Sequence, residues 1–177
     1  MVKKMIKFFG YTLFFIGTLI FFMPKNSLYF FAEENLKQFD VIISKESLSD
    51  KFLSLNVKNM EISAKAIDAG VIEELDITLL LAYNKLEFKN IQLSSLVESY
   101  LPSKISQIVV TYSVINPLVI YGRGVGEFGE ANLVFHIDTR ELVVSLKPSK
   151  KMFSHYRNSL AKFKKSETGE YVYAKSF

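Results

Sequence analysis

From Phe8 to Met23 the chain reads FFGYTLFFIGTLIFFM without a single charge, and no other stretch restricts its possible structures so strongly. In a medium without water an apolar run of this kind must be helical, because only a helix satisfies every backbone N–H and C=O within the segment. Met5 and Ile6 extend the run past Lys7, whose long stem reaches back to the interface. At ~1.5 Å per residue the charge-free core alone falls slightly short of a ~30 Å hydrocarbon layer, so Lys7 snorkelling or local thinning closes the difference. Residues 1–25 are therefore read as a cytoplasmic stub and transmembrane helix, set in the membrane by Lys3, Lys4, Lys7, Phe8 and Phe22.

Direction follows from the flanks. Lys3, Lys4 and Lys7 precede the run, whereas Lys25 alone is soon followed by Glu33 and Glu34, which keeps the N-terminus cytoplasmic. A cleaved signal peptide is the competing reading. Pro24-Lys25-Asn26-Ser27-Leu28 offers no small-residue cleavage site, so an uncleaved signal anchor is predicted.

The net charge of +4 divides unevenly behind the anchor: 147–165 carries +7 and 25–146 carries −5. The central domain is acidic and the basicity belongs to the ends. No cysteine is present, which removes disulfides, thiolate metal sites and cysteine nucleophiles. A length of 177 residues suffices for one anchor and one core.

Between 26 and 40, Leu28, Phe31, Ala32, Leu36 and Phe39 recur at helical spacing and predict an amphipathic juxtamembrane helix. From about 41 the apolar period becomes two, in Ile77, Leu79, Leu81; Ile108, Val110, Tyr112, Val114; Leu133, Phe135, Ile137; and Leu142, Val144, Leu146. Turn signals at Asn84, Pro102-Ser103, Asn116-Pro117, Gly129 and Asp138-Thr139-Arg140 are too closely spaced for crossovers, so the strands form an antiparallel meander. The apolar phase slips by one residue at Asn59, which requires a bulge or turn. Ser94 to Tyr100 predicts a short helix, and Tyr171-Val172-Tyr173 a last edge strand. Met152, Phe153, Tyr156, Leu160 and Phe163 predict a basic C-terminal amphipathic helix over 150–165, whose Lys150, Lys151, Arg157, Lys162, Lys164 and Lys165 form a solvated face or, in the competing reading, an interaction face. The fold class is mainly β: a transmembrane helix, then a curved antiparallel sheet domain over 41–177 with that helix at its end.

Gly124-Val-Gly-Glu-Phe-Gly129 satisfies the dinucleotide pattern G-x-G-x-x-G, but Ala131, Leu133, Phe135 and Ile137 continue it as a strand where phosphate binding needs a helix N-terminus. Gly122, Gly124, Gly126 and Gly129 are instead read as turn or bulge residues in a bent strand passing close to another backbone. His136 and His155 lack metal-ligand company, and Glu73, Glu74 and Asp76 are placed in a turn or strand edge as a solvated cluster. No catalytic, cofactor or metal residues are assigned, and the sequence gives no reason to expect an enzyme or a nucleic-acid partner.

The strand leading to Asn116-Pro117, the glycine-spaced Gly122 to Gly129 stretch and the hairpin ending in Leu146-Lys147-Pro148-Ser149 resemble the C-terminal half of the type II secretion system protein N family. The resemblance implies an inner-membrane anchor, a periplasmic β-rich domain and an accessory role in a double-membrane envelope machine, with a looser likeness to AsmA-like lipid-handling sheets. The expectation is a docking subunit of a secretion, pilus, DNA-uptake or flagellar assembly, its partners being the membrane and other envelope subunits, with homo-oligomers compatible. The alternative is a module whose apolar sheet face binds lipid.

Overall fold

The computed structural model describes residues 2–166 and 169–177. Met1 of the predicted stub, and Glu167 and Thr168 near the other end, lie outside the described residues. Helix α1 (Val2–Phe21) is long and apolar enough to cross a membrane, and none of it is buried against the rest of the chain. Pro24, with no N–H to give, stands just before α2 (Lys25–Lys37), where a missing donor costs nothing.

An eleven-stranded antiparallel sheet follows: β1 (Val41–Ser44), β2 (Ser47–Asp50), β3 (Ser54–Ala64), β4 (Ile67–Leu80), β5 (Tyr83–Leu93), β6 (Lys104–Ser113), β7 (Val119–Gly126), β8 (Gly129–His136), β9 (Glu141–Pro148), β10 (Lys164–Lys165) and β11 (Tyr171–Ser176). From β3 to β9 every strand pairs with its neighbour in sequence, as the short turns required. The sheet is open: β1 and β2 lie end to end along the outer side of β3, and β11 sits between β9 and β10.

Directly paired residues project from the same face, so the register assigns the faces. One row reads Val57, Leu75, Phe88, Ile108, Gly124, Ala131, Leu146, Tyr171, apolar throughout. A row on the opposite face begins Asn56, Asp76, Glu87, Val109, Arg123, Asn132. Ile77, Leu79, Val110, Leu133 and Val144 fall on the apolar face as the alternation predicted.

The phase slip expected at Asn59 crosses four strands. Asn59 and Asn90 take left-handed φ of 57° and 52°, a conformation asparagine tolerates better than most residues. At that level pairing steps from Lys58↔Glu74 to Met60↔Ile72, and from Lys89↔Gln107 to Ile91↔Ile105. Val57 and Met60, or Leu75 and Ile72, are three residues apart and would face opposite ways in a regular strand. Here they join one core. The slip ends between β6 and β7, where Ile105↔Gly126 and Gln107↔Val125 leave Ser106 bulged.

Three expectations need correction. The helix over 150–165 is two short ones, α4 (Lys150–His155) and α5 (Arg157–Leu160), after which Lys164 and Lys165 belong to β10. Ser154, His155, Tyr156, Asn158 and Ser159 are poor helix formers, and the break at Tyr156 (φ −123°, ψ 35°) still buries both Met152 and Leu160. Glu73, Glu74 and Asp76 lie inside β4, not in a turn or at its edge. Asn84 is within β5, and the turn before it is Leu81-Ala82. The short helix predicted from Ser94 is present as α3 (Ser95–Glu98).

Candidate functional site

The apolar face is covered at two ends and open between them. At the first end, α2 buries Tyr29 and Lys25 against the sheet, with Lys25 Nζ donating to Asp50 at 2.9 Å. Of the predicted stripe, Leu28, Ala32 and Leu36 line the space beneath the helix, whereas Phe31 and Phe39 turn away and are exposed. A helix presents only about a third of its circumference to a sheet, and the spacing alone left the phase undetermined by a position. At the other end Ser149 caps α4, accepting from Met152 N and donating to the Glu127 carbonyl, while Met152 and Leu160 pack on Phe128 and Leu146.

Three apolar cavities follow that face. One of about 360 Å³ lies under α2, bounded by Tyr29, Met60, Ile72, Leu75 and Phe88. A second of about 280 Å³ shares Ile62, Ile72 and Phe88 with it and runs on to Ile105 and Ile108, so the two form one groove. The third, about 420 Å³, lies under α4 and α5 against Ala131, Val144 and Leu146. Between Ile108 and Ala131 stands Gly124, and the Phe128 ring fills the room its side chain would take: a Cβ there would lie 3.3 Å from Phe128 Cζ. The glycines thus seat an aromatic partition.

The groove has one orphaned polar group at its wall. Tyr29 is 6% exposed and its hydroxyl has no hydrogen-bond partner among the described residues. Burial, with Glu46 and Glu33 nearby, pushes its pKa up to about 12, so the phenol is neutral and a donor at any physiological pH.

The opposite face carries a charged ladder. Asn56 donates to Glu74 and Asp76, Lys89 to Asp76 at 2.8 Å, Lys85 to Glu87, and Gln107 to Glu87. Its groups satisfy one another, which marks it as structural. A larger hollow of about 710 Å³ further along that face is lined by Gln107, Thr111, Tyr121, Arg123 and Asn132, and Arg123 is exposed and paired with Glu130.

The other residues singled out by sequence are dispersed. Gly129, at φ 115°, starts β8 with its Cα so near Lys147 O that a Cβ would lie 2.1 Å away, and Gly126 similarly abuts Lys104 O. Gly122 faces Leu133 across the ladder. The strand after Gly129 leaves no helix N-terminus for a phosphate. Lys150, Arg157, Lys162, Lys164 and Lys165 are exposed, and Lys151 is paired with Glu127 at 2.6 Å. Lys3, Lys4, Lys7, Phe8 and Phe22 are exposed in or just after α1. His136 is in β8 and His155 in α4, and the described residues contain no His, Cys, Asp and Glu grouping able to hold a metal. The sequence offered an apolar sheet face for a hydrophobic ligand as its alternative, but not which stretch of that face stays open, because that depends on how far the helices reach. No family model, curated protein or solved structure matches the chain.

Proposed function

We propose that this is a non-enzymatic, single-pass membrane protein whose extracytoplasmic sheet binds a hydrophobic ligand of the acyl-chain class. The observation that carries the reading is the apolar groove left between α2 and Phe128, with the unpartnered Tyr29 hydroxyl in its wall. An apolar face without cover is rare on a monomer, and a buried donor without an acceptor costs about 1–3 kcal/mol. A lipid supplies both missing parts: hydrocarbon for Phe88, Ile91 and Ile108, and an ester carbonyl for Tyr29. The twist of so wide a sheet supports the curvature such a groove needs.

A docking subunit of an envelope machine, of the type II secretion protein N kind, is the second reading. The outer side of β1, and that of β11 beyond the two residues paired with β10, favour it, since unpaired strand edges accept partner strands. In both readings Lys3, Lys4 and Lys7, in the first turns of α1, hold the N-terminus in the cytoplasm and the domain in the periplasm.

Gentle extraction followed by lipid mass spectrometry and tagged co-purification separates the two. The ligand reading expects stoichiometric lipid on the protein, reduced at least several-fold in Ile108→Trp, which fills the groove with apolar bulk. Lipid-free protein carrying a reproducible set of envelope subunits would replace it with the docking reading.

A further inference from the structure

The pairing register places the β2–β3, β4–β5, β6–β7 and β8–β9 turns at one end of the sheet, because Ser54, Thr78, Lys85, Thr111, Tyr121, Val134 and Val143 lie at one level across it. Turn tips are ordinarily polar. These carry Phe52 and Leu53, Leu81, Ile115 and Leu118, and Ile137, which are 62%, 44%, 45%, 91%, 51% and 40% exposed. Among these described tip residues only Phe52 has an aromatic partner, Phe21, and the apolar side chains on the other three tips stay 40–91% exposed.

The same end is tied to the exit of α1. The Phe52 ring lies 5.4 Å from that of Phe21, the last residue of the helix, and Asp50, just before the β2–β3 turn, holds Lys25, just after it. Two contacts thus fix the turn against the point where the chain leaves α1. Helix α2 then runs away from that end, since Asp40, shortly beyond it, accepts from Lys65 at the opposite one.

We propose that this end of the sheet stands on the lipid bilayer that α1 crosses, with the four turn tips inserted at headgroup depth as a second, peripheral membrane contact. The inference rests on α1 being a membrane anchor and is independent of any groove ligand.

The chain has no tryptophan, so a single introduced one reports alone. Full-length Phe52→Trp, Ile115→Trp, Leu96→Trp and Phe15→Trp proteins would be reconstituted in phosphatidylcholine–phosphatidylglycerol vesicles containing brominated phosphatidylcholine. Leu96 is the stringent control: it is apolar and 62% exposed, but on α3 at the other end. The expected result is blue-shifted emission quenched at least twofold at positions 52 and 115, best by bromine near the headgroup, deep quenching at 15 and none at 96. Quenching at 15 with position 115 indistinguishable from 96 overturns the proposal and leaves the anchor standing. Blue-shifted but unquenched emission at 115 overturns it in favour of a protein cover. Absence of quenching at 15 removes the anchor, and the proposal with it.

Discussion

Single residues hold this sheet in register, some of them against their own preferences. Lys65 and Ala66 form the β3–β4 turn with φ of 52° and 61°, the left-handed pair that a two-residue hairpin requires. Ala66→Gly should raise stability by about 0.5–1 kcal/mol, the relief of the left-handed strain less the unfolded-state entropy of glycine, read as a higher thermal midpoint. Gly129→Val should lower it by more than about 1 kcal/mol and reduce abundance, since a Cβ meets Lys147 O at 2.1 Å and φ is 115°. The glycine was legible in the sequence and the alanine was not, because nothing in Lys-Ala signals a turn until the ladder on both sides forces one. The charged ladder has a pH signature. Asp76, though penalised by desolvation, is held below its usual range by hydrogen bonds from Lys89 and Asn56, and Glu87 by those from Lys85 and Gln107. Depressed carboxylates stabilise fully above their unfolded pKa of about 4, and the gain is lost as pH falls through the folded values. Asp76→Asn should therefore flatten the fall in urea midpoint below about pH 4, while lowering the plateau above it.

Among the elements, α2 and the α4–α5 pair decide what the apolar face can do. Lys25 is 3% exposed and Asp50 is 46% exposed, so the pair is unequal. Asp50→Ala strands a buried ammonium at the start of α2 and should cost about 1–3 kcal/mol, whereas Lys25→Met removes that ammonium and leaves only the half-exposed Asp50 carboxylate, so it should cost less, a contrast chemical denaturation would resolve. Limited proteolysis of α2 should follow the same order. Helix α2 was legible from its spacing in Leu28, Ala32 and Leu36, but Phe31 of that stripe is exposed and Tyr29 is buried in its place. The C-terminal pair was legible in Met152 and Leu160, which go inward, but not in Phe153, which is exposed, nor in continuity. A period of four describes two short helices as well as one long one when the sheet supplies the contacts.

The whole molecule was legible in the order of β3 to β9, since short turns admit only neighbours, and in its N-terminal apolar helix, but not at the sheet's ends, where β1 pairs with β3 and the strand expected at the edge, β11, is flanked by β10. Its membrane direction is an expectation that a periplasm-active reporter fused after Phe177 would check: an active fusion supports a cytoplasmic N-terminus, and an inactive one reverses it. What the sequence could not convey is which stretch of the apolar face stays open, because coverage depends on distances between elements far apart in the chain. The sequential pairing from β3 to β9 has a kinetic meaning as well. Each new pairing closes a short loop, the longest being the 94–103 connection that carries α3, so little chain entropy stands against it and contact order is low. A chain held by its leading helix can then assemble outward from the tether, rung by rung, in the order in which it emerges. Until β11 takes its place beside β9, the advancing edge is an unpaired template, and aggregation is the hazard of that interval.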